Sequence, residues 1–461
     1  MHFTTFCKAK TCILLHFTCT IPFFFISLHQ IYKQIIMEER IILEVLAEQK
    51  EEANLLKARK WCNRLEEQQF EFDSPLAQVV IGVRRSGKST ICHKVLMQKH
   101  IRYAYVNLDD DRLFELKTSD LNTLLSCVYQ LYGQDVKYIL LDEIQNVEGW
   151  HLFVNRLLRN NIHVFVTGSN ARLLSSELAT HLTGRYNEIR LYPFSFAEYC
   201  PYLNIDTHGI TTKSQAALKA AFTDYLLNGG FPELMHIRNK RAYVQGLIDT
   251  VIMKDIKLRY RIRNVSALRL LADHLIANSC QEIVYDDLTE MFGLGSAVTT
   301  RKYVDYLMQA FLIIQIHKFS FKSRIRIRET KGYVVDTGLI ANRNDALLPQ
   351  NYGWRLENVV YVELLRRAAP LFHDVYYYKP TSRSREVDFV ICEQGRVIEL
   401  LQVAYDIESP KTFKRETEPF VQAARRLGCE NLTLIALSGS RDEVIDGLTI
   451  HIRHVIDWLL K

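Results

Sequence analysis

The stretch Gly82-Val83-Arg84-Arg85-Ser86-Gly87-Lys88-Ser89 constrains this 461-residue chain more than any other. It fits the pattern Gly-x-x-x-x-Gly-Lys-Ser/Thr with no departure. Ahead of it, Ala77-Gln78-Val79-Val80-Ile81 has the apolar run and length of a buried strand. Behind it, Thr90 to Met97 spaces its apolar residues as a helix with one buried face. The order strand, glycine-rich turn, helix is what a phosphate cradle requires. Glycines let backbone N–H groups approach an anion with no Cβ in the way, and the helix N-terminus adds partial positive charge. On this reading Gly82, Arg84, Arg85, Ser86, Gly87, Lys88, Ser89 and Thr90 line the nucleotide site. Lys88 can reach the β- and γ-phosphates and Ser89 can ligate Mg²⁺. The competing reading, a glycine-containing turn that matches by accident, does not explain the flanking strand and helix.

Further along, Lys137-Tyr138-Ile139-Leu140-Leu141-Asp142-Glu143 reads as a second buried strand delivering two acids to its carboxyl end. That is a Walker B arrangement. Asp142 would join Ser89 in holding Mg²⁺, and Glu143 would orient or deprotonate the attacking water. A third strand, His163-Val164-Phe165-Val166-Thr167, ends in Gly168-Ser169-Asn170. Ser169 or Asn170 could sense a γ-phosphate there, or could simply cap the helix that follows. Arg185, in Thr183-Gly184-Arg185-Tyr186, could supply charge to a transition state in its own site or a neighbour's, or could be a surface arginine.

Together with Pro193-Phe194-Ser195-Phe196-Ala197-Glu198-Tyr199 and Asn228-Gly229-Gly230-Phe231-Pro232-Glu233, these motifs resemble the prokaryotic family of AAA-type P-loop ATPases with a C-terminal domain of unknown function. The resemblance covers nearly everything after residue 60. It implies ATP binding, ATP hydrolysis with Mg²⁺, and two further modules. Multi-subunit assembly is also implied, because an arginine acting in trans needs a neighbouring copy.

The fold class expected is α/β. A P-loop domain with a parallel sheet spans 37–204, a helical lid and winged helix-turn-helix 205–345, and an α/β restriction-endonuclease-like domain 346–461. In the middle region Leu268–Ile276, Tyr285–Phe292 and Val298–Leu312 read as three helices, and Ile313–Ser320 with Ile325–Ile327 as a small hairpin. The third helix begins with threonines and cations, and Lys322, Arg324, Arg326 and Arg328 make the hairpin tip basic. Such a module could contact DNA through phosphates, or could serve packing alone. Met253 to Arg263 is a dense basic helix that could face a neighbour, nucleic acid or solvent.

In the last region a helix over Leu356–Leu365 precedes strands at Asp374–Tyr378, Glu386–Ile391 and Val397–Val403. A nuclease of this fold needs an Asp and a following Glu-x-Lys to hold Mg²⁺ and activate water. Asp388 matches the first acid, and Glu357 or Glu363 could add another. The Glu-x-Lys is missing: Gln402 takes roughly the acid position, no lysine stands two residues on, and Glu399 is the nearest carboxylate. An amide binds a divalent ion less well than a carboxylate, so the expectation is a degenerate site at Asp388, Glu399 and Gln402.

The balance of 58 basic and 52 acidic residues, net +6, permits a nucleic-acid partner without demanding one. None of the ten cysteines forms a Cys-x-x-Cys pair, which argues against a zinc site and suits a reducing, cytoplasmic compartment. Residues 1–36 differ in character, with an apolar, phenylalanine-rich run from Thr11 to Leu28 broken by His16, Thr18, Thr20 and Pro22. They read as an upstream extension ahead of Met37, or as a membrane anchor. No membrane partner is expected unless that segment is real.

Overall fold

The computed structural model describes residues 39–56, 61–169, 182, 184–322, 325, 328–341, 352–381 and 384–461. The two readings of residues 1–36, and those of Asn170, Arg324 and Arg326, lie outside the described residues. The chain divides into two compact units. The first comprises the chain to Arg59, Asp73–Ala77 and Leu96–Val166. The second comprises Lys60–Phe72, Gln78–Val95 and Thr167–Lys461.

Strands β1 (Ala77–Ile81), β2 (Tyr103–Asn107), β3 (Tyr138–Asp142), β4 (His163–Gly168) and β5 (Tyr186–Arg190) form a five-stranded sheet in the order β2-β3-β4-β1-β5. The β2–β3 and β3–β4 pairs are parallel. Every residue of β1 is buried, as are the last four of β3, which is why both read as near-continuous apolar runs, broken only by Gln78 and the closing Asp142, rather than alternating ones. In the first unit, a helix over 39–55 buries Ile42, Val45 and Leu46 on one face. From it Gln49 donates to the Asn107 carbonyl and accepts from the Asn107 N–H, both at 2.9 Å. That amide satisfies backbone groups of the edge strand β2, which would otherwise invite pairing with another chain.

In the second unit, helices Val265–Ala277, Tyr285–Phe292 and Ala297–Gln309 follow in the expected order. The strand after them, β7 (Ile313–Lys318), pairs antiparallel with β8 (Thr330–Val334). The strand that pairs with β7 is therefore Thr330–Val334; of the expected arm Ile325–Ile327, Arg326 and Ile327 lie outside the described residues. The alternation Ile-Arg-Ile suggested a strand at 325–327, but Ile325 stands in a helical turn, its N–H donating to Lys322 O at 3.0 Å. The hairpin does not stand alone. With β6 (Gln281–Glu282), β9 (Asp374–Tyr378), β10 (Val387–Glu393), β11 (Arg396–Ala404), β12 (Leu432–Ala436), β13 (Arg441–Ile445) and β14 (Leu448–His454) it forms one nine-stranded sheet, ordered β13-β14-β12-β11-β10-β9-β7-β8-β6. β7 and β9 join in parallel at His317–Tyr376 and Lys318–Tyr377, so a boundary at 345 separates neighbouring strands of a single sheet.

The central strands of this sheet are buried on both faces, and period-two alternation sorts their residues. Phe389, Ile391 and Leu401 join one apolar cluster with Val360, Tyr361 and Leu364 of the Tyr352–Ala368 helix. Val390, Cys392 and Leu400 join another with Phe420, Val421 and Ala424 of the Pro410–Leu427 helix. Among the described residues, no helix is long and apolar enough to cross a membrane.

Candidate functional site

The loop Gly82–Ser89 leads from β1 into the helix Lys88–Gln98. A Cβ on Gly82 would run into the Leu191 carbonyl, so only glycine fits there. Arg85 adopts a left-handed backbone conformation (φ 68°) and Gly87 has φ 96°, which curls the loop over the helix N-terminus. Lys88 is buried, with its Nζ 3.2 Å from the Val83 carbonyl of the same loop. The Ser86 hydroxyl is buried and has no hydrogen-bond partner among the described residues. A turn closed by glycines, with a buried ammonium and an unsatisfied hydroxyl within it, suits a phosphate group. Ser89 is half-buried and Thr90 exposed on the first turn of the helix.

The two loop arginines face protein carboxylates. Arg84 places Nε at 3.3 Å and Nη2 at 3.2 Å from the two carboxylate oxygens of Asp255. Ser169, at the end of β4, donates to the same carboxylate at 3.4 Å. Arg85 pairs with Glu233, which also accepts from the Tyr243 hydroxyl at 3.0 Å. The basic stretch Met253–Arg263 thus contains a buried acid, Asp255, in a run of π-helix at Val251–Lys257.

In the other unit, Asp142 closes β3 and is buried, its carboxylate accepting from the Tyr105 hydroxyl at 3.1 Å. Burial and that neighbour raise the Tyr105 phenol well above its ordinary range, so it stays a donor. Glu143 leaves the strand in a left-handed conformation (φ 52°), sparsely populated for a non-glycine residue. Its carboxylate accepts from the Gln145 amide. Gln145 and Tyr105 thus orient the two acids, and nothing in the spacing singled them out.

The phosphate loop is braced from below by Arg64. Its guanidinium donates to the Ser86 carbonyl at 3.3 Å, the Tyr192 carbonyl at 2.6 Å and the Glu198 carboxylate at 2.9 Å. Glu198 belongs to the Pro193–Tyr199 motif, where it also completes a capping box with Ser195. Buried Glu66 lies 3.8 Å from Arg64 and 3.7 Å from Arg366, a residue of the Tyr352–Ala368 helix. Burial holds Glu66 above the usual carboxylate range against the pull of Arg64. The Asn228–Glu233 motif has a comparable structural purpose. Buried Asp336 accepts from the Gly230 N–H at 2.7 Å and the Gly338 N–H at 2.8 Å, and any Cβ on Gly229 would strike it. Burial raises Asp336 to about 6.

A second polar site lies in the C-terminal sheet. A cavity of about 970 Å³ is lined by Lys331, Glu357, Glu386, Asp388, Gln402 and Glu416 among others. Oxygens of Glu357, Glu386 and Asp388 fall within 4.8 Å of one another. Into this group β8 sends Lys331, 2% exposed, whose Nζ lies 3.0 Å from Glu357 and 2.8 Å from Glu386. Burial opposes its charge, but the acids outweigh burial and hold the ammonium well above the lysine value. Asp388 accepts from the Val403 N–H at 2.8 Å, and the Gln402 amide accepts from the Asp388 N–H at 3.3 Å. Of the expected trio, Asp388 and Gln402 therefore meet and Glu399 does not. Glu399 points with Leu401 to the opposite face of β11 and binds the Thr433 hydroxyl at 2.6 Å. Glu363, the other acid considered, is bound to Arg366 and Arg367 instead.

Lys331→Met should destabilise the fold by about 3–5 kcal/mol, because it leaves buried carboxylates without their cation. Burial and Glu357 already hold Asp388 well above the usual carboxylate range, so folding takes up a proton there. Stability linked to Asp388 is thus present at low pH and lost as pH rises through its folded pKa. The deficit of the variant in chemical denaturation should accordingly shrink as pH is lowered.

Arg185 is exposed beyond β4, its N–H donating to the Leu182 carbonyl at 2.9 Å. Lys322 and Arg328 at the hairpin tip are exposed as well. Of the seven cysteines among the described residues, six are buried and Cys62 is half-buried.

Family profiles match three consecutive segments: an AAA domain at residues 74–200, a domain of unknown function (DUF8612) at 219–348, and another (DUF4143) at 352–452. An uncharacterized protein of Methanocaldococcus jannaschii is 30% identical over 384 residues, covering 81% of this chain and 84% of its own. One from Haemophilus influenzae is 31% identical over 406 residues, covering 84% and 95%. Among solved structures, a STAND signal-transduction ATPase with a tetratricopeptide repeat sensor from Pyrococcus horikoshii gives a TM-score of 0.25 at 14% identity. That likeness covers 68% of this chain and half of that one, 50%. With an AAA-type P-loop domain followed by these two domains, the chain belongs to the family of the Methanocaldococcus and Haemophilus proteins.

Proposed function

We propose that this chain binds Mg-ATP at Gly82–Ser89 and hydrolyses it, and that the nucleotide state is relayed to the helical and C-terminal regions. The observation that carries the reading is the loop itself. It is a glycine-closed turn at a helix N-terminus with Lys88 buried inside it and the Ser86 hydroxyl unsatisfied. Lys88 would hold the β- and γ-phosphates. Ser89 and Asp142 would hold Mg²⁺, which supplies charge neutralisation on the phosphate oxygens when bound. Glu143, oriented by Gln145, would accept a proton from the attacking water. Arg185, exposed at its position, is assigned to a transition state completed by a second copy of the chain.

The relay is supported by the ion pairs of Arg84 and Arg85 with Asp255 and Glu233, which tie the loop to the helical region. A second reading, an ATP-gated binding module with little turnover, draws on the same pairs. DNA contact through the helices 265–309 and the basic Lys322 and Arg328 belongs to either reading. A DNA nuclease at Asp388 is a third reading. It is opposed by Gln402 in the acid position and by Lys331 already neutralising the acids.

Steady-state phosphate release separates these readings. It should be measured alone and with duplex DNA, single strands and RNA, at a fixed salt concentration. Stimulation by one nucleic acid is expected for the coupled ATPase. A rate that stays near background with every addition, while ATP binds, favours the gated module. Mg²⁺-dependent DNA cleavage lost in Asp388→Ala would favour the nuclease.

A further inference from the structure

We propose that Asp255 competes with the terminal phosphate of ATP for Arg84 and Ser169, so that the charge of Asp255 sets how tightly the loop takes ATP rather than ADP. The proposal rests on the reading of Gly82–Ser89 as an ATP site. The Asp255 carboxylate gathers a forked contact from Arg84, at 3.3 and 3.2 Å, and a hydroxyl from Ser169 at 3.4 Å. One donor comes from the phosphate loop and the other from the end of β4, the strand beside β1. Planar arginine forks and hydroxyls bind carboxylates and phosphates by the same hydrogen bonds. Asp255 is 5% exposed and the Arg84 side chain 18%, so solvent screens the pair little. A phosphate drawn to Arg84 and Ser169 would meet a buried negative charge already on them, and both anions cannot keep the same two donors. ADP, which lacks the terminal phosphate, avoids that conflict.

The segment carrying Asp255 is suited to letting go. Val251–Lys257 is wound as π-helix, a rare form found mostly as short insertions and often at functional sites. It continues directly from the Lys240–Thr250 helix, whose Tyr243 lies under Arg85, with the guanidinium 5.6 Å from the ring centre. The loop's second arginine is thus attached to the same continuous stretch of chain. Arrival of a terminal phosphate would free Asp255 and pass the displacement along that helix into the region 219–348.

The test is a binding titration of the full chain with a non-hydrolysable ATP analogue and with ADP, comparing wild type, Asp255→Asn and Asp255→Glu. Asp255→Asn should bind the ATP analogue on the order of tenfold tighter, with ADP affinity changed by less than about twofold. Asp255→Glu keeps the charge and should show no such gain. A second measurement needs no variant: amide hydrogen exchange over 251–257 should speed up with the ATP analogue and not with ADP. An ATP-to-ADP preference unchanged in Asp255→Asn overturns the proposal. So does exchange in 251–257 that ATP leaves unmoved, and this outcome decides the matter if the asparagine variant does not fold. If wild type binds neither nucleotide, the ATP reading itself fails, and the gate fails with it.

Discussion

Lys88→Ala should lower ATP affinity by about 2–5 kcal/mol, which is roughly 30- to 5,000-fold. Lys88 is buried at the start of the Lys88–Gln98 helix and is the cation inside the loop, because Arg84 and Arg85 are engaged by Asp255 and Glu233. Truncation would leave the backbone N–H groups, the helix N-terminus and the Arg84 and Ser169 donors that Asp255 contests, and these supply less than a desolvated ammonium inside the loop. The Lys88 contact to the Val83 carbonyl, at 3.2 Å, is local to the loop. Titration with a fluorescent ATP analogue, alongside circular dichroism, separates loss of the site from loss of the fold. Undiminished binding by a folded Lys88→Ala would sink the assignment.

Glu143→Gln should behave in the opposite way: ATP binding retained, turnover reduced by roughly 10²- to 10⁴-fold, the range for losing a positioned general base. The amide preserves shape, and its oxygen can still accept from Gln145 at the left-handed turn. What disappears is the capacity to take a proton from water. Single-turnover phosphate release with saturating ATP isolates this step from binding and product release. A normal rate would move the catalytic base elsewhere in the chain.

The two halves of the expected nucleotide site were legible for different reasons. Gly82–Ser89 could be read because its chemistry is local, with strand, turn and helix lying within about twenty residues and each glycine having a steric cause. Asp142 and Glu143 could be read because a buried strand that ends in two acids is costly without a use. What was not legible is the support. Arg64 braces Ser86 across 22 residues and Glu198 across 134, and Asp255 meets Arg84 across 171. No period or motif carries such pairings, because they follow from how separate elements pack. The C-terminal pocket makes the same point. No lysine stands two residues beyond Gln402; the lysine that reaches the acids is Lys331, from a strand placed by the preceding region. Glu399 stands at an odd offset from Gln402, which sends its side chain to the other face of the strand.

The shared nine-stranded sheet has a practical consequence for anyone dividing this chain. The two domains of unknown function meet at about residue 350, and a sequence-based dissection would cut there. Such a cut would strip β7 from β9, baring a row of backbone donors and acceptors on each new edge. It would also leave Lys331 on one fragment and its carboxylates on the other. Fragments ending or starting near 350 would be sticky and charge-frustrated, and inactivity in either would say nothing about the intact protein. The two domains share one sheet and one buried ion cluster, and are better expressed together.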